Sequence, residues 1–190
     1  MRGAGLTILA CAAALAAGCV TQRTTSDGRP PAPDPTPAPA VPVSAVVNTM
    51  TVIAAPPVDT NGNLFRDRID VEVYLFAQPH PSPVLCDGQF TFVLYPMGQA
   101  GSPGQRGTVL RTWTIPAAAA RGAEAMSLMG PCYRFSLSLL ANGGSDRLGA
   151  DSVDLVGAFE VPGAPVVNTQ NVTTLQLGAI PGTSARPGRQ

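Results

Sequence analysis

Pro30, Pro31, Pro33, Pro35, Pro37, Pro39 and Pro42 fall within thirteen residues, and no other stretch limits the folding of this chain so strongly. Each proline fixes φ and removes a backbone donor, so neither a helix nor an inner strand can run through the segment. Polyproline II is the conformation left, at about 3.1 Å per residue, which makes Pro30 to Pro42 a semi-rigid spacer of roughly 40 Å. A PxxP ligand is the other use of such a composition, but composition alone does not select it, and a stalk is the expected role. The spacer therefore divides the chain into a short piece before it and a long one after it.

The long piece changes character at Ser44. From there the sequence breaks into short runs with period-two alternation, the pattern of strands buried on one face. Between Ile69 and Phe76, Ile69, Val71, Val73 and Leu75 face one way while Asp70, Glu72 and Tyr74 face the other. The pattern returns at Phe90, Phe92 and Leu94, and at Val109, Trp113 and Ile115 around Arg111. Tyr133, Phe135, Leu137 and Leu139 repeat it, then Val153, Leu155 and Phe159, then Leu175 and Leu177, with an opening strand in Val46 to Ile53. About seven strands of this kind predict an all-β domain over residues 44–180, an antiparallel β-sandwich, followed by a disordered tail at 181–190. One helix is expected between Trp113 and Tyr133. Pro116 suits a first turn, Ala117 to Ala120 and Ala123 to Leu128 are helix-permissive, and Gly130 and Pro131 stop it.

At Gly130-Pro131-Cys132-Tyr133-Arg134-Phe135-Ser136-Leu137 the chain resembles the start of strand F in immunoglobulin-like and fibronectin-type-III sandwiches. That resemblance implies an immunoglobulin-like arrangement in which Tyr133 packs at a corner and hydrogen-bonds back to the backbone.

Before the spacer, Arg2 supplies a positive charge and Leu6 to Ala17 supply about a dozen apolar or small residues, too few for a permanent membrane span. Leu15-Ala16-Ala17-Gly18-Cys19 closes that run and resembles the lipobox of bacterial lipoproteins. The resemblance implies that residues 1–18 are a lipoprotein signal peptide and that Cys19 becomes an acylated, palmitate-bearing N-terminus. Residues 19–43 are then a disordered proline-rich tether on a membrane-anchored envelope protein. Val20 after the cysteine resembles the outer-membrane sorting pattern of some bacteria. Cleavage before Cys11 would leave a very short apolar core, and an ordinary secretory cut near Gly18 would leave Cys19 as a spare thiol.

Charge narrows the partners. The chain has no lysine, and residues 44–182 carry 7 Arg against 10 Asp and Glu, so nucleic acid is not an expected partner. An oxidising compartment and an even count make Cys86 and Cys132 an expected disulfide, with two buried free thiols or half of a metal site as the other readings. No CxxC or His-rich spacing supports the metal.

Asp59, Asn61, Asn63, Asp67 and Asp70 place oxygens at positions one, three, five, nine and twelve of a wrapped loop, a spacing that suits calcium. The segment resembles the DxDGDGxxD calcium loops of extracellular modules, with Leu64 in place of the second glycine. The same run also reads as a plain Asx-rich turn. His80, the only histidine, sits among Pro79, Pro81 and Pro83 with no patterned nucleophile or acid. Gly98 to Gly107 lacks the Lys and Ser or Thr of a phosphate cradle and reads as a mobile loop. Met126 and Met129, at helical spacing, read as core filling. No GxSxG, HExxH or Walker motif occurs.

These features together describe a non-enzymatic, lipid-anchored interaction or accessory module, needing no cofactor unless calcium binds. Its contact surface is expected in the loops at one end of the sandwich, and its partner in an envelope protein or polysaccharide. Two other readings make different demands. An envelope hydrolase needs Asp67, Asp70 and Glu72, or Asp151 and Asp154, to converge in a cleft. A carbohydrate-binding module needs an exposed aromatic platform, for which Tyr74 and Tyr95 are the candidates.

Overall fold

The computed structural model describes residues 40, 42, 45–101 and 105–179. The targeting segment, Cys19 and all of the proline run except Pro42 lie outside the described residues, as does the tail from 180 onward.

Ile69, Val71, Val73 and Leu75 are buried, while Asp70 and Glu72 between them stay half-exposed, so the alternation read from the sequence is the alternation of a sheet face. Among the described residues ten strands form: β1 (Thr49–Ala54), β2 (Arg68–Phe76), β3 (Pro83–Val84), β4 (Gln89–Pro96), β5 (Arg111–Ile115), β6 (Glu124–Ser127), β7 (Gly130–Ser138), β8 (Ser152–Glu160), β9 (Val167–Asn168) and β10 (Thr173–Gln176). They make two antiparallel sheets, ordered β1-β2-β7-β6 and β10-β8-β4-β5, with β3 added beside β2 and β9 beside β8. The protein is an all-β antiparallel sandwich. With the two-residue strands set aside, the sheet orders are A-B-E-D and G-F-C-C′, the immunoglobulin-like arrangement.

That order corrects two expectations. The segment beginning at Gly130 is not strand F: β7 lies between β2 and β6, the position of strand E, and β8 takes the F position. The expected helix is also mostly absent. The helix α1 covers only Ala117–Arg121 and ends at Gly122. Glu124 to Ser127 instead pair with Tyr133 to Gly130 as an edge strand. Ala, Glu and Met favour helix in isolation, but a ladder partner in the same sheet outweighs a propensity of tenths of a kcal/mol per residue.

The core is built from the inward positions of both sheets. The Phe90 ring lies 4.8 Å from Tyr133, 5.1 Å from Phe135 and 4.8 Å from Phe159, an aromatic cluster that joins the sheets. Trp113 packs on its margin and donates Nε1–H to the carbonyl of Ser138, 2.8 Å away across the sandwich. Gly157 sits on the inward face of β8, where an added Cβ would come within 2.8 Å of Met50 Cε and 3.3 Å of the Phe92 ring. The missing side chain is what lets Met50 from the facing sheet fill that position.

Register also assigns the loops to ends. Thr49 pairs with Phe76, so the end at which the chain enters β1 also carries residues 77–88, the β6–β7 turn and residues 161–172. The opposite, distal end carries residues 55–67, 97–110 and 139–151.

Candidate functional site

The distal end holds the densest polar cluster, and four of the five expected calcium-loop residues shape it. Asp59 accepts from the backbone N–H of Asn61 (3.2 Å), Gly62 (2.8 Å) and Leu64 (2.7 Å). Asn61 Oδ1 accepts from Asn63 N at 3.0 Å, and Asn63 Oδ1 from Phe65 N at 2.9 Å. Each is an Asx turn, one after another, with Gly62 and Leu64 at positive φ where the chain doubles back. Asp67 is buried and closes the loop by accepting from Thr60 N at 3.2 Å and Thr60 Oγ1 at 2.7 Å.

A residue that the local spacing could not reveal joins them. Asp146, from the loop between β7 and β8, is buried and accepts from Asn63 Nδ2 (2.7 Å) and Asn61 Nδ2 (3.4 Å). The Asn63 bond, with that of Asn61 behind it, holds the Asp146 carboxyl below the usual carboxylate range. Arg147 beside it lies 4.8 Å over the Phe65 ring.

Asp70 does not belong to this loop. It stands on the outward face of β2, bonded to Ser136 Oγ and 3.3 Å from Arg68 Nε. Among the described residues no group of three or more His, Cys, Asp and Glu side chains is arranged to hold a metal ion.

Cys86 and Cys132 stand as free thiols, so the structure gives the expected disulfide no support. The reason lies in strand alternation. Tyr133 points into the core and its hydroxyl meets the backbone of Cys86, so Cys132, one residue earlier on β7, points to the opposite face beside Tyr74. Burial pushes the Cys86 thiol up, with Asp87 adding to the effect.

The carboxylates required of a hydrolase do not all meet in one cleft. Asp70 and Glu72 share the outward face of β2, along a groove of about 490 Å³ with Ile53, Arg134 and Ser136. Glu72 accepts from the Tyr74 hydroxyl (2.7 Å) and from Arg134 Nε (2.9 Å). The Tyr74 bond, then that of Arg134, lowers the Glu72 pKa, opposite to the direction a general acid needs. Asp67 is turned into the distal loop. Asp154 is buried under the β4–β5 connection, accepting from Gly98 N (2.7 Å) and Thr174 Oγ1 (2.8 Å), while Asp151 is exposed.

Tyr74 and Tyr95 are both buried, so neither offers a platform for a sugar ring. Tyr95 is covered by the glycine-rich connection itself: Ala100 packs with Tyr95 and Val156 on the outward face of the second sheet, and Gly107 N donates to Gln99 O at 2.9 Å. That segment is packed rather than loose over its described part. His80 is half-buried in the 77–88 loop, its N–H bonded to Ala77 O. Met126 and Met129 are exposed rather than core filling, because they lie on an edge hairpin and not on a helix.

No protein-family model, curated protein or solved structure matches this chain.

Proposed function

We propose that this protein is a lipid-anchored cell-envelope lipoprotein whose sandwich serves as a non-catalytic interaction or accessory module. The observation that carries the reading is Leu15-Ala16-Ala17-Gly18-Cys19, which closes an apolar run behind Arg2 and is followed by a proline-rich stalk. Several acyl chains on Cys19 exceed the two signals that stable membrane attachment needs. The stalk then gives the module a reach of tens of ångströms. The distal loops suit contact with an envelope protein or polysaccharide, since Asp59, Asp67 and Asp146 order them before any partner arrives.

The test is metabolic labelling of the full chain with an alkyne fatty acid in a bacterial host. The wild type should carry the label and fractionate with membranes, and Cys19→Ala should lose both. An unlabelled wild-type chain in the soluble fraction would sink the proposal.

A further inference from the structure

The β6–β7 hairpin ends in a knob of three large apolar side chains: Met126 is 71%, Leu128 108% and Met129 54% exposed. From Ala125 to Tyr133 no side chain is ionised. The knob is held in shape from beneath. Ser127 Oγ accepts from Met129 N at 3.1 Å and lies 3.0 Å from both the Gly130 carbonyl and the buried Tyr74 hydroxyl. Gly130, at φ +118°, sits so close to Pro83 that an added Cβ would come within 2.9 Å of its ring. Water therefore faces an ordered apolar projection, not a side chain that can fold back on the core.

Its location supplies the second observation. The knob lies at the end where the chain enters β1, with Val46 and Leu85 also exposed there, and opposite the Asx-rich distal loops. Resting on the anchor reading above, that is the end a tether from Cys19 would hold nearest the bilayer.

We propose that Met126, Leu128 and Met129 dock the sandwich onto the bilayer that holds its own lipid anchor. A bilayer receives a convex apolar knob without a complementary cavity, and an interfacial element binds in proportion to the apolar area it buries. The tether keeps the knob at high effective concentration near that surface, so a contact too weak to recruit a free protein is populated in the anchored one. Val20 to Gly28 contain no proline, so the proline run alone does not set the distance from Cys19 to the sandwich. Docking turns the distal loops outward.

The test reconstitutes the lipidated full chain in phosphatidylethanolamine and phosphatidylglycerol vesicles with brominated acyl chains. Trp113, the only tryptophan of the wild type, gives the baseline. A Leu128→Trp reporter should be quenched by the bromines, whereas Val109→Trp at the distal end should not. In the lipidated chain, adding Leu128→Asp to a Met126→Trp reporter should cut its bromine quenching severalfold, with an unchanged melting curve showing that the fold is intact. A lipidated chain that floats with vesicles while its Leu128→Trp reporter stays unquenched overturns docking and leaves the anchor standing. Shielding of that reporter from iodide without bromine quenching points to a protein occupant and overturns it equally. A chain that fails to float overturns the anchor instead.

Discussion

The Tyr133 hydroxyl donates to the Cys86 carbonyl and accepts from the Cys86 N–H, at 2.9 Å in each direction, fastening the loop before β4 to a strand 47 residues away. Tyr133→Phe leaves both backbone groups without that partner and should cost roughly 1–3 kcal/mol in denaturant unfolding. Burial pushes the Tyr133 pKa up to about 12. A raised phenol pKa contributes stability that is complete below the unfolded value of about 10 and is lost as pH rises through the folded one. Alkaline melts should therefore show wild type losing more stability than Tyr133→Phe between about pH 10 and 12.

The two thiols should behave as unpaired groups. Alkylation after unfolding without reductant, followed by peptide mass analysis, should label both Cys86 and Cys132. In the native protein at neutral pH both should react slowly, Cys132 because it is buried and Cys86 because its raised pKa leaves little thiolate. Recovery of a Cys86 to Cys132 crosslinked peptide would contradict this geometry.

Asp146 gives the distal end an acid-sensitive tie. Its lowered pKa means that its contribution is present above the unfolded carboxylate value of about 4 and is lost as pH falls through the folded one. Asp146→Asn should lower the melting temperature at pH 7, and the gap to wild type should close as the pH drops below about 4.

Asp67 should matter more than its neighbours. It is buried and holds Thr60 by both N–H and hydroxyl, so Asp67→Ala is expected to cost roughly 1–3 kcal/mol. Calcium should add little, because Asp59, Asn61, Asn63 and Asp67 already accept from donors of the loop itself. Melting in millimolar calcium and in chelator should give the same midpoint, and a rise of several degrees with calcium would reverse that reading.

What the sequence revealed follows from the range over which each signal acts. Alternation in β2, β4, β7 and β8 is a local signal, strong enough to place four long strands and to foresee a sandwich. β3 and β9 are two residues each and too short to show a period, while β6 carried helix-favouring residues whose fate was decided by β7. The Asx turns were visible in the spacing of Asp59, Asn61 and Asn63. Asp146 was not, being 83 residues from Asn63. The cysteine count held no information about facing, and one step along β7 separates Cys132 from the side that meets Cys86.

The register of β1 has a mechanical meaning. The chain enters at Thr49 and runs away from that end to Ala54, antiparallel to β2 along its whole length. A pull on the chain at Thr49, with the distal loops held, would slide β1 lengthwise along β2. All its ladder bonds would then bear the force together instead of opening one after another. The sandwich thus meets a load along its own axis in shear, a geometry that a peel of β1 from the sheet edge would not share.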